Sequence, residues 1–247
     1  EMQNLSTFSN YDFTNIWIID ANRNAGYPSL RMEYDLINRN DQVVTSNRET
    51  NLDPSNITIL DSSVPGVSNN SGVSINSEGE FVFDGSSYLD LGQSLEANSS
   101  YSKEAWVYLT DNTKTGNVIS SRNTVFYLSG GQTLTGIVNW PDGGKVEVAD
   151  LGDEIINNWT HLLITFDDPN DTLVVYVNGQ ERARNSNVTD SVITQDVAVG
   201  AHPSDSALSD AASFWDGNMG EIRIYSRALT SSEVLGNYLA TKDQYQD

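Results

Sequence analysis

The chain has 247 residues and no cysteine. Disulfides, zinc–thiolate sites and thiol nucleophiles are thereby excluded. Histidine is nearly absent too: His161 and His202 are the only two, so a catalytic triad would have to use one of them. Basic residues are few, with 13 Lys and Arg against 34 Asp and Glu and a formal net charge of −21. Phosphate backbones and anionic headgroups are bound by basic side chains that displace counterions, so nucleic acid is not an expected partner. No apolar run approaches the ~20 residues that a spanning helix needs, and no signal peptide is visible. Membrane insertion is not expected. The chain opens on Glu1 rather than Met, as a processed product would.

Two readings of the acidity stay open. Aspartates suit turns because their side chains bond their own backbone, which would make the surface simply solvated. Alternatively, the excess carboxylate suits salt or divalent cations, which take hard oxygen ligands. Asn-X-Ser/Thr acceptor sites at Asn4, Asn56, Asn69, Asn98, Asn158, Asn170 and Asn187 fit an extracellular or cell- or virion-surface location.

Hydrophobic residues make up 38% of the chain, in short runs that suit thin sheets with one solvated face. Residues 38–80 are rich in turn formers, with short candidate strands at 57–60 and 73–75, after an opening strand at Met32-Glu33-Tyr34-Asp35-Leu36. Strands then come densely: 80–83, 88–91, 103–109, 117–121, 124–128, 133–140, 145–148, 159–166, 172–177, 197–200 and 220–225. Turn residues every ~8–12 positions mark an all-β sandwich. Asn178-Gly179 is a dipeptide for a tight turn with positive φ. One helix is expected after Thr230, which can form a capping box with Glu233 and present Val234, Leu235 and Tyr238 on its apolar side.

The motifs Phe83-Asp84-Gly85, Ala105-Trp106-Val107, Trp159-Thr160-His161 and Tyr176-Val177-Asn178-Gly179 follow one another in order. Phe214-Trp215-Asp216-Gly217 and the strand from Glu221 complete the series. Together they resemble the laminin-G-like family of concanavalin A-like domains. The resemblance implies a jelly-roll β-sandwich of two antiparallel sheets with one short C-terminal helix, over residues 31–247. It also implies that Trp106 fills the space between the sheets. Residues 1–30 form a separate short β unit, similar to the closing unit of GLUG-type surface-protein repeats; Trp17 is expected to be buried there.

Glucanases of this fold carry Glu-x-Asp-x-Glu on one strand, which puts three carboxylates on one face. This sequence has no such spacing. In Glu147-Val148-Ala149-Asp150 the two acids lie three apart and so point to opposite faces of a strand. Trp106, Trp159 and His161 are expected in packing, and no enzymatic activity is expected.

Related sandwiches hold calcium through an aspartate just before the closing strand, where Gly220 stands here. Asp84, Asp216 and Glu221 are the remaining metal candidates, with calcium the cation they suit. Asp35, Asp167, Asp168 and Asp171 are further loop carboxylates, more typical of solvated turns. Sugars stack on exposed aromatic rings while neighbouring polar groups fix their hydroxyls. That chemistry points to Trp140, Asp142, His202, Asp205 and Trp215, at the rim, as ligand-binding candidates. The expected function is a non-catalytic extracellular binding or adhesion module that recognises a glycan or a surface protein through its rim loops. The alternative is a structural component of a larger assembly, a virion decoration or a cell-surface appendage.

Overall fold

A computed structural model describes residues 17–18, 29–30, 48–52, 67–95, 98–111, 113, 115–130, 132–139, 143–148, 150–189, 195–203 and 211–246. The chain forms two compact units, Glu1–Val43 and Val44–Asp247. In the first, β1 (Trp17–Ile18) pairs antiparallel with β2 (Ser29–Leu30). The expected strands at 32–36 and 57–60, and the Trp17 side chain, lie outside the described residues.

The second unit runs through β3 (Arg48–Leu52), β4 (Asn69–Ser71), β5 (Ser74–Ile75), β6 (Phe81–Asp84), β7 (Tyr88–Leu95) and β8 (Tyr101–Tyr108). Next come β9 (Gly116–Asn117), β10 (Ile119–Ser120), β11 (Val125–Ser129), β12 (Thr133–Ile137) and β13 (Lys145–Val148). A single helical turn (Gly152–Ile155) precedes β14 (Thr160–Asp167), β15 (Thr172–Val177) and β16 (Gln180–Asn185). The chain closes with β17 (Gln195–Val199), β18 (His202–Pro203), β19 (Ala211–Ala212), β20 (Asp216–Tyr225) and the helix α1 (Ser231–Tyr245).

One layer is the sheet β16-β15-β14-β8-β20-β6-β5, with β3 also on β20. The facing layer combines β13-β12-β11-β9 with β10-β17-β7-β4. Bonds from Val118 N to the Phe126 carbonyl and from Ser121 N to the Thr124 carbonyl join these two groups into one surface. Strand alternation sets the packing between layers. Ala105, Val107, Leu162, Ile164, Val175 and Ile222 of the large sheet meet Leu89, Phe126, Leu128, Leu134 and Val199 of the other. At Gly136 a side chain would overlap Ile164, so glycine there lets the layers close.

The central strands β8, β14 and β15 of the large sheet are buried on both faces, which corrects the expectation of thin sheets with one solvated side. Its outer face lies under α1, where Leu163, Val174, Tyr176, Tyr225, Leu229 and Val234 form a second apolar cluster. The capping box between Thr230 and Glu233 is present and starts the helix as expected. The docking face is more polar than expected: the buried helix residues are Val234, Asn237 and Thr241. Trp106 also points to this side rather than between the sheets. Its indole N–H donates to Thr241 Oγ1 (2.9 Å), and its ring stacks on Tyr245 at 4.7 Å.

Beneath the helix lies a buried charged group. Glu104 Oε1 accepts from Arg223 Nη1 (2.7 Å), and its Oε2 accepts from Asn237 Nδ2 (2.9 Å) with His161 Nε2 3.4 Å away. Arg223 also pairs with Glu221 and donates from Nε to Asn51 Oδ1 (3.0 Å). Burial pushes the Glu104 carboxyl up, but Arg223 and His161 outweigh it and hold the pKa down at about 2. His161 is fully buried, as expected, although it sits in this ion group as well as against the Trp106 ring.

A carboxyl held below its ordinary value contributes stability above that value and loses it as pH falls toward the folded value. Melting temperature should therefore drop as pH falls from about 4.5 toward about 2, as Glu104 is protonated. Glu104→Gln leaves Arg223 buried with one carboxylate fewer and should lose about 3–5 kcal/mol at neutral pH, read by urea unfolding.

Candidate functional site

On the side of the facing layer away from the core, Val125, Thr135 and Ile137 are buried and Tyr127 is half-buried. On β11, Phe126 and Leu128 point into the core, so Val125 and Tyr127 point out. Cross-strand pairing places Thr135 opposite Tyr127 and Ile137 opposite Val125 on β12. Lys145 and Glu147 of β13 follow on the same face, joined by an ion pair of 3.0 Å.

A recess of about 200 Å³ opens beside Tyr127, lined by Thr115, Asn117, Val125, Tyr127, His202 and Ser213. The short pair β18–β19 carries His202 and leads into Ser213. Asn117 fixes that segment: its backbone and side-chain nitrogens both donate to the Ser213 carbonyl (3.0 and 2.9 Å). His202 Nε2 lies 3.2 Å from the Arg122 carbonyl. Burial pulls the imidazole pKa below its ordinary value, which the Arg122 carbonyl opposes and Lys103 reinforces. The lowered value favours the uncharged imidazole at neutral pH. None of the described lining residues is charged.

Lys103 braces the recess from below. It starts on the inner face of the large sheet, and its ammonium crosses the core to the Thr124 carbonyl (2.8 Å), Thr124 Oγ1 (2.9 Å) and Ile119 carbonyl (3.3 Å). Burial lowers its pKa to about 7. The turn it holds precedes Val125 and contains Arg122, the partner of His202.

Among the ligand candidates, His202 lines the recess, whereas Trp140, Asp142 and Asp205 lie outside the described residues. Trp215 does not fit a sugar-stacking role. It is 1% exposed, part of the core, and packed against Gly116. Its backbone accepts from Gly85 N (3.0 Å) and donates to the Gly200 carbonyl (2.8 Å), which anchors three segments. Tyr127, Asn117, Thr115, Val125 and Ser213 went unnoticed in the sequence. Alternation along 125–129 marks two faces of a strand, but nothing local says which one faces the core.

The metal candidates separate. Asp84 and Asp216 are opposite one another across β6 and β20. Asp84 accepts from Ser86 N and Oγ (2.9 Å each), and the Ser86 bonds lower its pKa. Glu221 stands five residues further along β20, about 16 Å away at ~3.3 Å per residue. It is 8% exposed and paired with Arg223, so it does not complete a set with the two aspartates. A bulge in β20 between Met219 and Ile222 puts Gly220 under the Tyr245 ring, and the Tyr245 hydroxyl accepts from Glu221 N (2.9 Å). An aspartate at Gly220 would displace that ring. Among the described residues, no three His, Asp or Glu side chains gather as a metal would require.

Residues 83–235 match the family described as the concanavalin A-like lectin/glucanases superfamily. The chain belongs to that superfamily. No curated protein matches the chain significantly. Solved structures share the fold at low identity. A heptameric SAP-like pentraxin from Limulus polyphemus has a TM-score of 0.51 at 18% identity, over 63% of this chain and 79% of that one. Domain 4 of AbnA, an extracellular GH43 arabinanase from Geobacillus stearothermophilus, was solved with arabinotriose. It has a TM-score of 0.52 at 22% identity, covering 78% of this chain and 98% of that one. The binding domain of botulinum neurotoxin DC, in complex with SialylT, gives 0.52 at 10% identity, over 78% and 52%. The chain thus spans about half of the neurotoxin domain's length. The GLUG-like resemblance of the first residues is not among these matches.

Chelation with EDTA should leave the melting temperature unchanged; a downward shift would reveal a stabilising cation.

Proposed function

We propose that this chain is a non-catalytic carbohydrate-binding module that works at an extracellular or cell- or virion-surface location. The observation that carries the proposal is the recess beside the half-buried Tyr127 on the outer side of the facing layer. It combines one half-buried tyrosine ring with neutral hydrogen-bonding groups from Asn117, Thr115, Ser213 and His202. A sugar presents an apolar C–H face and polar edges, and a tyrosine beside amide, hydroxyl and imidazole groups complements both. The arabinotriose bound by the arabinanase domain and the SialylT bound by the neurotoxin domain support the same class of ligand on this fold.

Catalysis has little to work with in the recess. Glycoside hydrolysis uses two carboxyl groups flanking the scissile bond, and the described lining offers none. The structural-assembly reading draws no support from β16 at the sheet edge. That strand carries Glu181, Arg182 and Arg184, charges that discourage edge-to-edge pairing.

On a glycan array the protein should bind a defined subset of oligosaccharides. Tyr127→Ala should weaken that binding about tenfold or more, with His202→Ala reducing it less and both melting curves unchanged. Silence across a broad array would remove the carbohydrate reading.

A further inference from the structure

A second cavity lies on the opposite side of the sandwich, where α1 ends against the large sheet. It measures about 460 Å³ and is lined by Tyr108, Glu154, Asn157, Asn158, Trp159, Asn178, Tyr245 and Gln246. Three aromatic rings and four side-chain amides thus share one hollow. The rings form a fixed series: Tyr108 to Trp159 at 5.6 Å and Trp159 to Tyr245 at 4.9 Å between centroids. Tyr245 is in turn stacked on buried Trp106. Trp159 was expected in the core, yet it is only half-buried.

The frame around the rings is rigid. Gln246 Nε2 donates to the Trp159 carbonyl (2.7 Å), and its Oε1 accepts from the Tyr238 hydroxyl (2.8 Å). Asn178 sits at the hairpin turn with φ of 50°, and its Oδ1 accepts from His161 N (3.0 Å). Asn157, with φ of 57°, is pinned by its backbone N–H to the Leu109 carbonyl (2.7 Å). Against that frame, several polar tips are hydrogen-bonded to nothing among the described residues: the Trp159 indole N–H, the Tyr108 hydroxyl, the Asn157 side-chain amide and Asn178 Nδ2. Pre-positioned rings with unfilled donors beside them favour a ligand with apolar faces and many hydroxyls.

Charge narrows the ligand further. Glu154 is the one charged residue among the described lining, and Arg182 neutralises it through two bonds (2.7 and 2.9 Å). Among the described lining residues, no unpaired cation is there to receive a carboxylate or phosphate. We propose that this cavity is a second saccharide site, selective for neutral sugar residues and separate from the Tyr127 recess. Its volume falls within the ~300–1,000 Å³ typical of small-ligand sites. The two sites occupy opposite outer faces, so one module could hold two glycan chains. The inference extends the carbohydrate reading but stands on its own residues.

The test uses the ¹⁵N-labelled chain and its five indole N–H signals, with Trp159 assigned through Trp159→Phe. Neutral di- and trisaccharides of glucose, galactose, mannose and arabinose are titrated in, with 3′-sialyllactose as the anionic control. At least one neutral sugar should shift the Trp159 signal, in wild type and in Tyr127→Ala alike, while the anionic control does not. Trp159→Ala should abolish binding at this site. Tyr108→Phe, which removes one hydroxyl and keeps the ring, should weaken it about tenfold. A Trp159 signal unmoved by every neutral sugar at millimolar concentration would overturn the second site, as would a shift that disappears in Tyr127→Ala. Binding seen only at the Trp159 signal, untouched by Tyr127→Ala, would instead remove the first recess and leave this one.

Discussion

Everything else in the second unit depends on the burial of charge between the large sheet and its C-terminal helix. Glu104, Arg223, Glu221 and His161 lie on what would otherwise be an outer sheet face. Removed from water, the Glu104 carboxylate and Arg223 guanidinium are tolerable only when paired, and α1 adds Asn237 to Glu104. The sheet, the helix and the ion group are therefore coupled. If the helix left, it would strand several charges at once, in addition to exposing the apolar cluster around Val234.

That arrangement decides where recognition can occur. The centre of the large sheet is shielded on both sides and offers no surface to a partner. On the outer side of the opposite layer, Tyr127 stays half-buried among buried Val125, Thr135 and Ile137, beside the His202 segment. Lys103 ties this side to the other, since its ammonium reaches through the core to hold the 121–124 turn. A buried lysine that spends its bonds on backbone carbonyls is a strut, and its fixed length helps set the shape of the recess.

The sandwich was legible in the sequence because its strands alternate and its turns use Asn and Gly. Asn178-Gly179 has positive φ at both positions, as that dipeptide suggested, and β15 spans the expected residues 172–177. The capping box at Thr230 was equally visible. What escaped was the side of each element that meets another. Trp106 faces α1 because Thr241 and Tyr245, more than 130 positions later, provide its partners. Strand β16 carries Gln, Glu and Arg with few apolar residues, so alternation gave no sign of it. In the same way, a tryptophan between Phe214 and Asp216 looked available for a sugar, whereas the surrounding backbone encloses it. Gly220, the unexpected residue before the closing strand, has a steric explanation in the ring of Tyr245.

Saccharide binding by the recess around Tyr127 is the reading on which the proposed function rests. A crystal structure of the chain soaked with an oligosaccharide that binds it in solution tests this most directly. The expected complex has a sugar ring packed against Tyr127, with a hydroxyl bonded to His202 or Asn117. A complex in which the bound sugar avoids that face altogether would contradict it.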